Sequence, residues 1–360
     1  MTHYIKQFCL LLAATWCLCL TSCSKKTGDT PEPTPPQDQS ITYVCGYDYD
    51  SNGLGTIAVY WKNNQREYLG REGTNVNGIA LSGDVVYIAG ATKDIITGKS
   101  IATYWKNGNA IELTDGTVDA SATAIFVAGN DVYVAGNVFN GANATGKYWK
   151  NGKVIAQTKA SVRANFNAIY VAGNDVYVAG WESDPAGQLG RVAVYWKNGV
   201  KVELTKGLTQ DASANSICVD GNDVYVAGIE RLGREYTLRY VKAKYWKNGV
   251  AMTLSTEDNY SDVASSVYVS GGSFFTAGTV NSSGTAVAKY WRNGIPTMLN
   301  GNAVASSANS IFVSGNDVYV AGTTSNSNIG GRSFATYWKN GKEVRLSNNA
   351  SAATGIVVKP

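Results

Sequence analysis

Residues 124–157 read AIFVAGNDVYVAGNVFNGANATGKYWKNGKVIAQ, and the reading of this stretch decides the fold. It holds four short apolar runs, at 124–128, 131–136, 147–150 and 153–157, rich in Val, Ile, Tyr and Trp. Runs of that length and composition, punctuated by Gly and Asn, are strands rather than helices. Gly129-Asn130 joins the first two, and glycine in first place suits a type II′ hairpin. Asn151-Gly152 joins the last two and is the type I′ signature. The unit is therefore a four-stranded antiparallel sheet, with strands a to d in chain order.

The unit recurs along the chain. Its Tyr-Trp pair falls at Tyr60-Trp61, Tyr104-Trp105, Tyr148-Trp149, Tyr195-Trp196, Tyr245-Trp246, Tyr290-Trp291 and Tyr337-Trp338, spaced by 44, 44, 47, 50, 45 and 47 residues. Six of the seven repeats carry Asn-Gly between strands c and d, and the first has Asn63-Asn64. Four strands in about 45 residues is the size of a propeller blade. The domain opens on a strand b, Tyr43–Gly46, and ends on a strand a, Thr354–Val358. The sequence predicts an all-β, seven-bladed β-propeller over residues 41–360, the C-terminal strand completing the first blade. An open solenoid would need capping repeats. The Tyr-Trp pairs are read as core, filling the space between adjacent blades.

The N-terminus speaks to location. Lys6, the apolar run Phe8–Leu20 and Leu20-Thr21-Ser22-Cys23 have the order of a lipoprotein signal, so residues 1–22 are expected to be removed and Cys23 acylated. Residues 23–40, with Pro31, Pro33, Pro35 and Pro36, read as an extended tether. A membrane attached through the lipid anchor is thus the first expected partner, and the location an outer membrane of a Gram-negative envelope. The chain has 31 basic and 27 acidic residues, a near-balance that argues against a nucleic-acid partner. Cys45 and Cys218 stand in different repeats and read as small buried hydrophobes.

The repeat resembles the HAF-type extracellular repeats and the Tyr-Trp-Lys-Asn-Gly propeller lipoproteins of Bacteroidota-type bacteria. The matching pattern runs through Asn165–Gly180 and Ala193–Thr205, and the likeness covers about residues 41–360. It departs from the namesake His-Ala-Phe, because no repeat here contains histidine. The resemblance implies architecture and export and brings no chemistry. Ser24-Lys25-Lys26 lacks the acidic run that surface-exported lipoproteins of such bacteria carry, which favours a periplasmic orientation.

Eleven to sixteen residues separate the glycine ending strand b from the next Tyr-Trp, so length variation lies in the b–c loops. Variable loops on a rigid scaffold are where binding residues gather. On that face the candidate binding rim is Trp181, Tyr47, Tyr49, Phe139, Tyr236, Tyr240 and Tyr260, for a small molecule, a glycan or a protein. A second candidate is a polar ring at the channel mouth: Asn77, Thr123, Asn167, Asn215, Ser265, Asn309 and Thr354. These side chains either take a ligand or satisfy backbone groups. Asp48, Asp50 and Asn52 resemble the opening of a calcium loop, but Val59 stands where the closing acid belongs. The basic segment Glu230–Lys244 reads as a long b–c hairpin.

His3 is the only histidine and leaves with the signal. Neutral-pH proton transfer through imidazole is then absent, no cofactor is implied, and the chain is expected not to be an enzyme. It is read instead as a monomeric binding module, with a periplasm-facing scaffold as the alternative. An enzyme working through carboxylates such as Glu182 and Asp184 ranks last.

Overall fold

The computed structural model describes residues 40–360 except 50–54, 142, 184–189, 206–208, 233–240, 255–260, 283–284, 300, 302 and 326–331. Residues 1–39, which hold the expected signal peptide, Cys23 and all but the last residue of the expected tether, lie outside the described residues, as do Tyr236, Tyr240, Tyr260, Asp50, Asn52 and Asp184. What is described is built from 28 strands in seven sheets of four. The third blade is β8 (Asp119–Ala128), β9 (Asp131–Asn140), β10 (Asn143–Lys150) and β11 (Lys153–Gln157). The first blade is assembled from both ends of the domain. In it β28 (Ser351–Lys359) pairs antiparallel with β1 (Ile41–Tyr49), followed by β2 (Thr56–Lys62) and β3 (Gln65–Glu72). Closure by the C-terminal strand is therefore as the sequence predicts.

Strands b and c run further than their apolar cores. β9 continues to Asn140 and β10 begins at Asn143, so the b–c segment of this blade is an extended hairpin rather than a loop. Polar residues occupy the extension because its backbone is already paired in the ladder and one side faces water.

The Lys-Asn-Gly motif has a structural task. Asn107 and Gly108 take φ of 48° and 80°, the left-handed values a type I′ turn requires. In every blade the turn Asn also accepts a hydrogen bond from the start of strand b, as in Val132 N to Asn151 Oδ1 at 2.8 Å and Val318 N to Asn340 Oδ1 at 2.8 Å. In four blades the same Asn donates to an Asp beside it, and the preceding Lys pairs with that Asp at 2.7–2.9 Å. These bonds hold the carboxyls of Asp131, Asp175 and Asp223 below the usual range. The motif staples one face of the disc.

The core lies between blades. Six of the repeat tryptophans are 0–1% exposed, and each shares a cluster with a leucine from the end of the preceding blade's strand d. Burying one such Leu–Trp contact contributes several kcal/mol of apolar transfer, about 25 cal/mol per Å². Those six indoles leave a buried N–H without a partner, so packing outweighs the lost hydrogen bond there.

Candidate functional site

Each member of the predicted polar ring is the extra residue of a β-bulge in strand a. The registers slip between Val76 and Gly78, Ala122 and Ala124, Phe166 and Ala168, Ala214 and Ser216, Ala264 and Ser266, and Ala308 and Ser310. In the first blade the slip faces Cys45 and Gly46 and leaves Thr354 unpaired. The bulge explains the glycine closing each strand-b core, for a Cβ at Gly322 would stand 1.8 Å from the Ser307 carbonyl. The ring therefore sits inside the strands, at the residues that the strand pairing leaves over.

Six of the seven side chains reach the next blade. Asn77 Nδ2 donates to Ala122 O at 2.8 Å, Thr123 Oγ1 to Phe166 O at 2.8 Å and Asn167 Nδ2 to Ala214 O at 2.9 Å. Asn215 continues to Ala264 O at 2.9 Å, Asn309 to Ala353 O at 2.8 Å and Thr354 to Val76 O at 3.1 Å. Ser265 alone makes no such bond among the described residues. The ring lines a central cavity of about 210 Å³, and its donors are spent on joining blades.

The aromatic rim is not one surface. Trp181 lies in β13 (Asp175–Ser183), is buried, and has the guanidinium groups of Arg163 and Arg191 over its ring at 5.6 and 5.2 Å. Arg191 in turn forms a two-point ion pair with Asp211 at 2.6 and 2.7 Å. This corrects the placement of Trp181 on an exposed rim. Tyr47 and Tyr49 form an edge-to-face pair at 5.5 Å, with Tyr49 exposed and Tyr47 half-buried. Burial raises the Tyr47 phenol to about 12. Phe139 is exposed near the end of β9. Sequence reasoning searched for aromatics and missed the most exposed aliphatic pair, Ile95 (83%) and Ile96 (90%), in the b–c turn of the second blade.

Asp48 is not a loop ligand. It sits in β1, paired on both sides, and its buried carboxylate is held by Arg66. Burial raises its pKa and the guanidinium opposes that rise. A calcium ion would have to displace this cation, and no cluster of three His, Cys, Asp or Glu fit for a metal occurs among the described residues. Of the carboxylate pair, Glu182 forms an ion pair with Lys201 at 3.0 Å. In the basic hairpin Glu230 and Lys244 pair with each other at 3.0 Å and are buried. Cys45 and Cys218 are free and buried, and desolvation pushes both thiols up to about 12.

No protein-family model and no curated protein matches the chain. Solved structures do. The β-propeller domain of the Trilobed protease from Pyrococcus furiosus aligns over 86% of this chain and 92% of its own, at 11% identity and a TM-score of 0.55. The chain is a seven-bladed β-propeller. A polysaccharide lyase of family PL25, an ulvan lyase, aligns over 90% of this propeller and 92% of the lyase, at 9% identity and a TM-score of 0.53. The acylaminoacyl peptidase of Pyrococcus horikoshii covers 88% of the propeller at 13% identity and a TM-score of 0.52, and the propeller spans 52% of that peptidase.

These likenesses correct the expectation that the chain is not an enzyme. The similar propellers belong to a protease, a peptidase and a lyase, so neither the fold nor the missing histidine supports the exclusion. At such identities the likeness carries the fold alone, and no activity passes with it.

Proposed function

We propose that this propeller is a lipid-anchored envelope protein, attached through Cys23, that recognises a glycan or protein partner on the b–c/d–a face. One observation carries the reading. Among the described residues, exposed apolar side chains fall on the b–c segments of three consecutive blades: Tyr49 in the first, Ile95 and Ile96 in the second, Phe139 in the third. Exposed apolar groups on a rigid, hydrogen-bonded frame are a surface kept for a partner. The HAF-like resemblance is consistent with export and adds nothing about the partner. Binding to glycan arrays and to cross-linked envelope proteins tests the reading. Tyr49→Ala with Ile95→Ser, Ile96→Ser and Phe139→Ala should weaken the captured interaction by roughly tenfold or more; binding unchanged for every captured partner would remove the face from consideration.

The scaffold reading has its own support. The outermost strands of blades three to six expose Val154, Ile155, Val200, Val250, Met252, Ile295 and Met298 along the disc edge. Protease treatment of intact cells separates the two settings, because an inward-facing scaffold is protected and a surface receptor is cut.

A further inference from the structure

One of the seven blade interfaces is built differently. In six, a leucine closing strand d (Leu69, Leu113, Leu204, Leu254, Leu299, Leu346) packs with the tryptophan of the next blade. For five of them the backbone N–H donates to strand c, as in Leu113 to Ala102 O and Leu204 to Ala193 O. In blades two and four the hydroxyl of the Thr that follows accepts from the same residue's N–H, as Thr114 does from Ala102 and Thr205 from Ala193, while in blades one, six and seven Thr74, Ser306 and Ser351 accept it. Between blades three and four both tasks fall to Thr158, whose N–H donates to Gly146 O while its hydroxyl accepts from Gly146 N. An extra residue in β11 causes the change, through the register slip between Tyr148 and Trp149. No leucine is left for Trp196.

Compensation is partial. Phe166, where five blades have Ala at the matching register position, fills part of the space. It does so only because Gly146 has no side chain, since a Cβ there would meet the Phe166 ring at 2.6 Å. Asn137 fixes the Phe166 backbone from both sides, at 2.7 and 3.0 Å. What remains is a cleft of about 530 Å³, lined among others by Tyr148, Thr158, Phe166, Glu182, Trp196 and Lys201. Trp196 is 7% exposed, above every other repeat tryptophan, and it is absent from the indoles with a sealed N–H. The Glu182–Lys201 pair lies in the wall at 3.0 Å, and Lys201 also pairs with Glu203 at 3.0 Å.

We propose that this cleft is a binding site for a neutral pyranose sugar. A purely apolar occupant would strip water from the Glu182–Lys201 pair and return no hydrogen bond. Lys159 and Lys201 both line the cleft, but Lys201 already holds Glu182 and Glu203, so an anion would have to displace a carboxylate to reach it. A neutral sugar ring offers C–H groups to the aromatic edges and hydroxyls that both donate to Glu182 and accept from Lys201. The cleft opens at the d–a connection between blades three and four, and its lining includes none of Tyr49, Ile95, Ile96 and Phe139, so the two readings fail separately.

The test is a fluorescence titration of the full propeller with methyl pyranosides of glucose, galactose, mannose and xylose and with N-acetylglucosamine, beside glucuronate and isobutanol. At least one neutral sugar should change Trp196 emission saturably and shield it from acrylamide. Glu182→Gln should weaken that sugar by roughly tenfold or more. Thr158→Leu with Lys159→Thr rebuilds, in the shifted register of β11, the Leu-Thr of blades two and four and should abolish binding with melting unchanged or raised. Tyr49→Ala should leave it intact. No saturable neutral sugar at tens of millimolar, tighter binding of glucuronate or isobutanol, or full binding in Glu182→Gln overturns the proposal, whatever the folding of the double variant.

Discussion

Ser265→Asn should make the protein more stable. Ser265 is the one ring position without an inter-blade hydrogen bond among the described residues, while its neighbours Asn215 and Asn309 reach Ala264 O and Ala353 O at 2.9 and 2.8 Å. Its own strand carries the same bulge, and so does the strand it faces, between Ala308 and Ser310. Asn at 265 is therefore positioned to donate to Ala308 O and complete the ring. A neutral hydrogen bond of this kind contributes about 0.5–1.5 kcal/mol net. For a domain spanning Ser40–Pro360, an unfolding entropy of about 2 cal/mol/K per residue turns 1 kcal/mol into roughly 1.5 °C. The expected gain is about 1–2 °C. Asn309→Ala removes an existing bond and leaves a carbonyl short of a partner, which should cost about 1–2 kcal/mol. Calorimetry with urea unfolding at unchanged m-value measures both. A neutral or destabilising Ser265→Asn together with a harmless Asn309→Ala would refute the role given to the ring.

Three further expectations follow from the geometry, and a fourth from the proposed lipid anchor. Cys45 and Cys218, buried with thiols raised to about 12, should resist alkylation at pH 8 until denaturant is added, as read by mass spectrometry of their peptides. Leu299→Ala opens a cavity beside Trp338 and should cost about 2–5 kcal/mol, whereas Val250→Ala on the exposed outer strand should change unfolding by under about 0.5 kcal/mol. The carboxyls of Asp131, Asp175 and Asp223 are held below the unfolded value of 3.8. Their contribution is present above that value and is lost as the pH falls through the folded one, so the triple Asp→Asn variant should show a flatter acid limb in unfolding against pH. Cys23→Ser should abolish incorporation of labelled palmitate and move the protein to the soluble fraction.

The architecture was legible because it is written seven times. Tyr-Trp pairs, Asn-Gly turns and the lone C-terminal strand each report local geometry, and repetition removes the ambiguity of any single copy. The candidate site was legible only in outline. Spacing located the ring residues, but the bulges that turn them onto the next blade depend on strand pairing, which Asn167 or Thr354 alone does not express. Trp181 read as a rim residue because nothing in its neighbourhood announces that Arg163 and Arg191 will close over it. The blade-three cleft had a visible signal. Gln157-Thr158 stands where Leu113-Thr114 and Leu204-Thr205 stand elsewhere, and a search for added aromatics passes over a leucine that is missing.

Everything placed on the disc depends on the ring being closed by its two chain ends. Thr354 Oγ1 lies 3.4 Å from Cys45 Sγ across 309 residues of chain, a separation that suits a disulfide once the hydroxyl is replaced by a thiol. Thr354→Cys refolded from denaturant under an oxidising glutathione couple, so that the Cys45 thiol is reachable before it is buried, should form an intramolecular link to Cys45, seen as a joined peptide pair in non-reducing mass spectrometry and as a monomer on a non-reducing gel. A Cys45 thiol that stays free, or a link formed only between molecules, would contradict closure by β28.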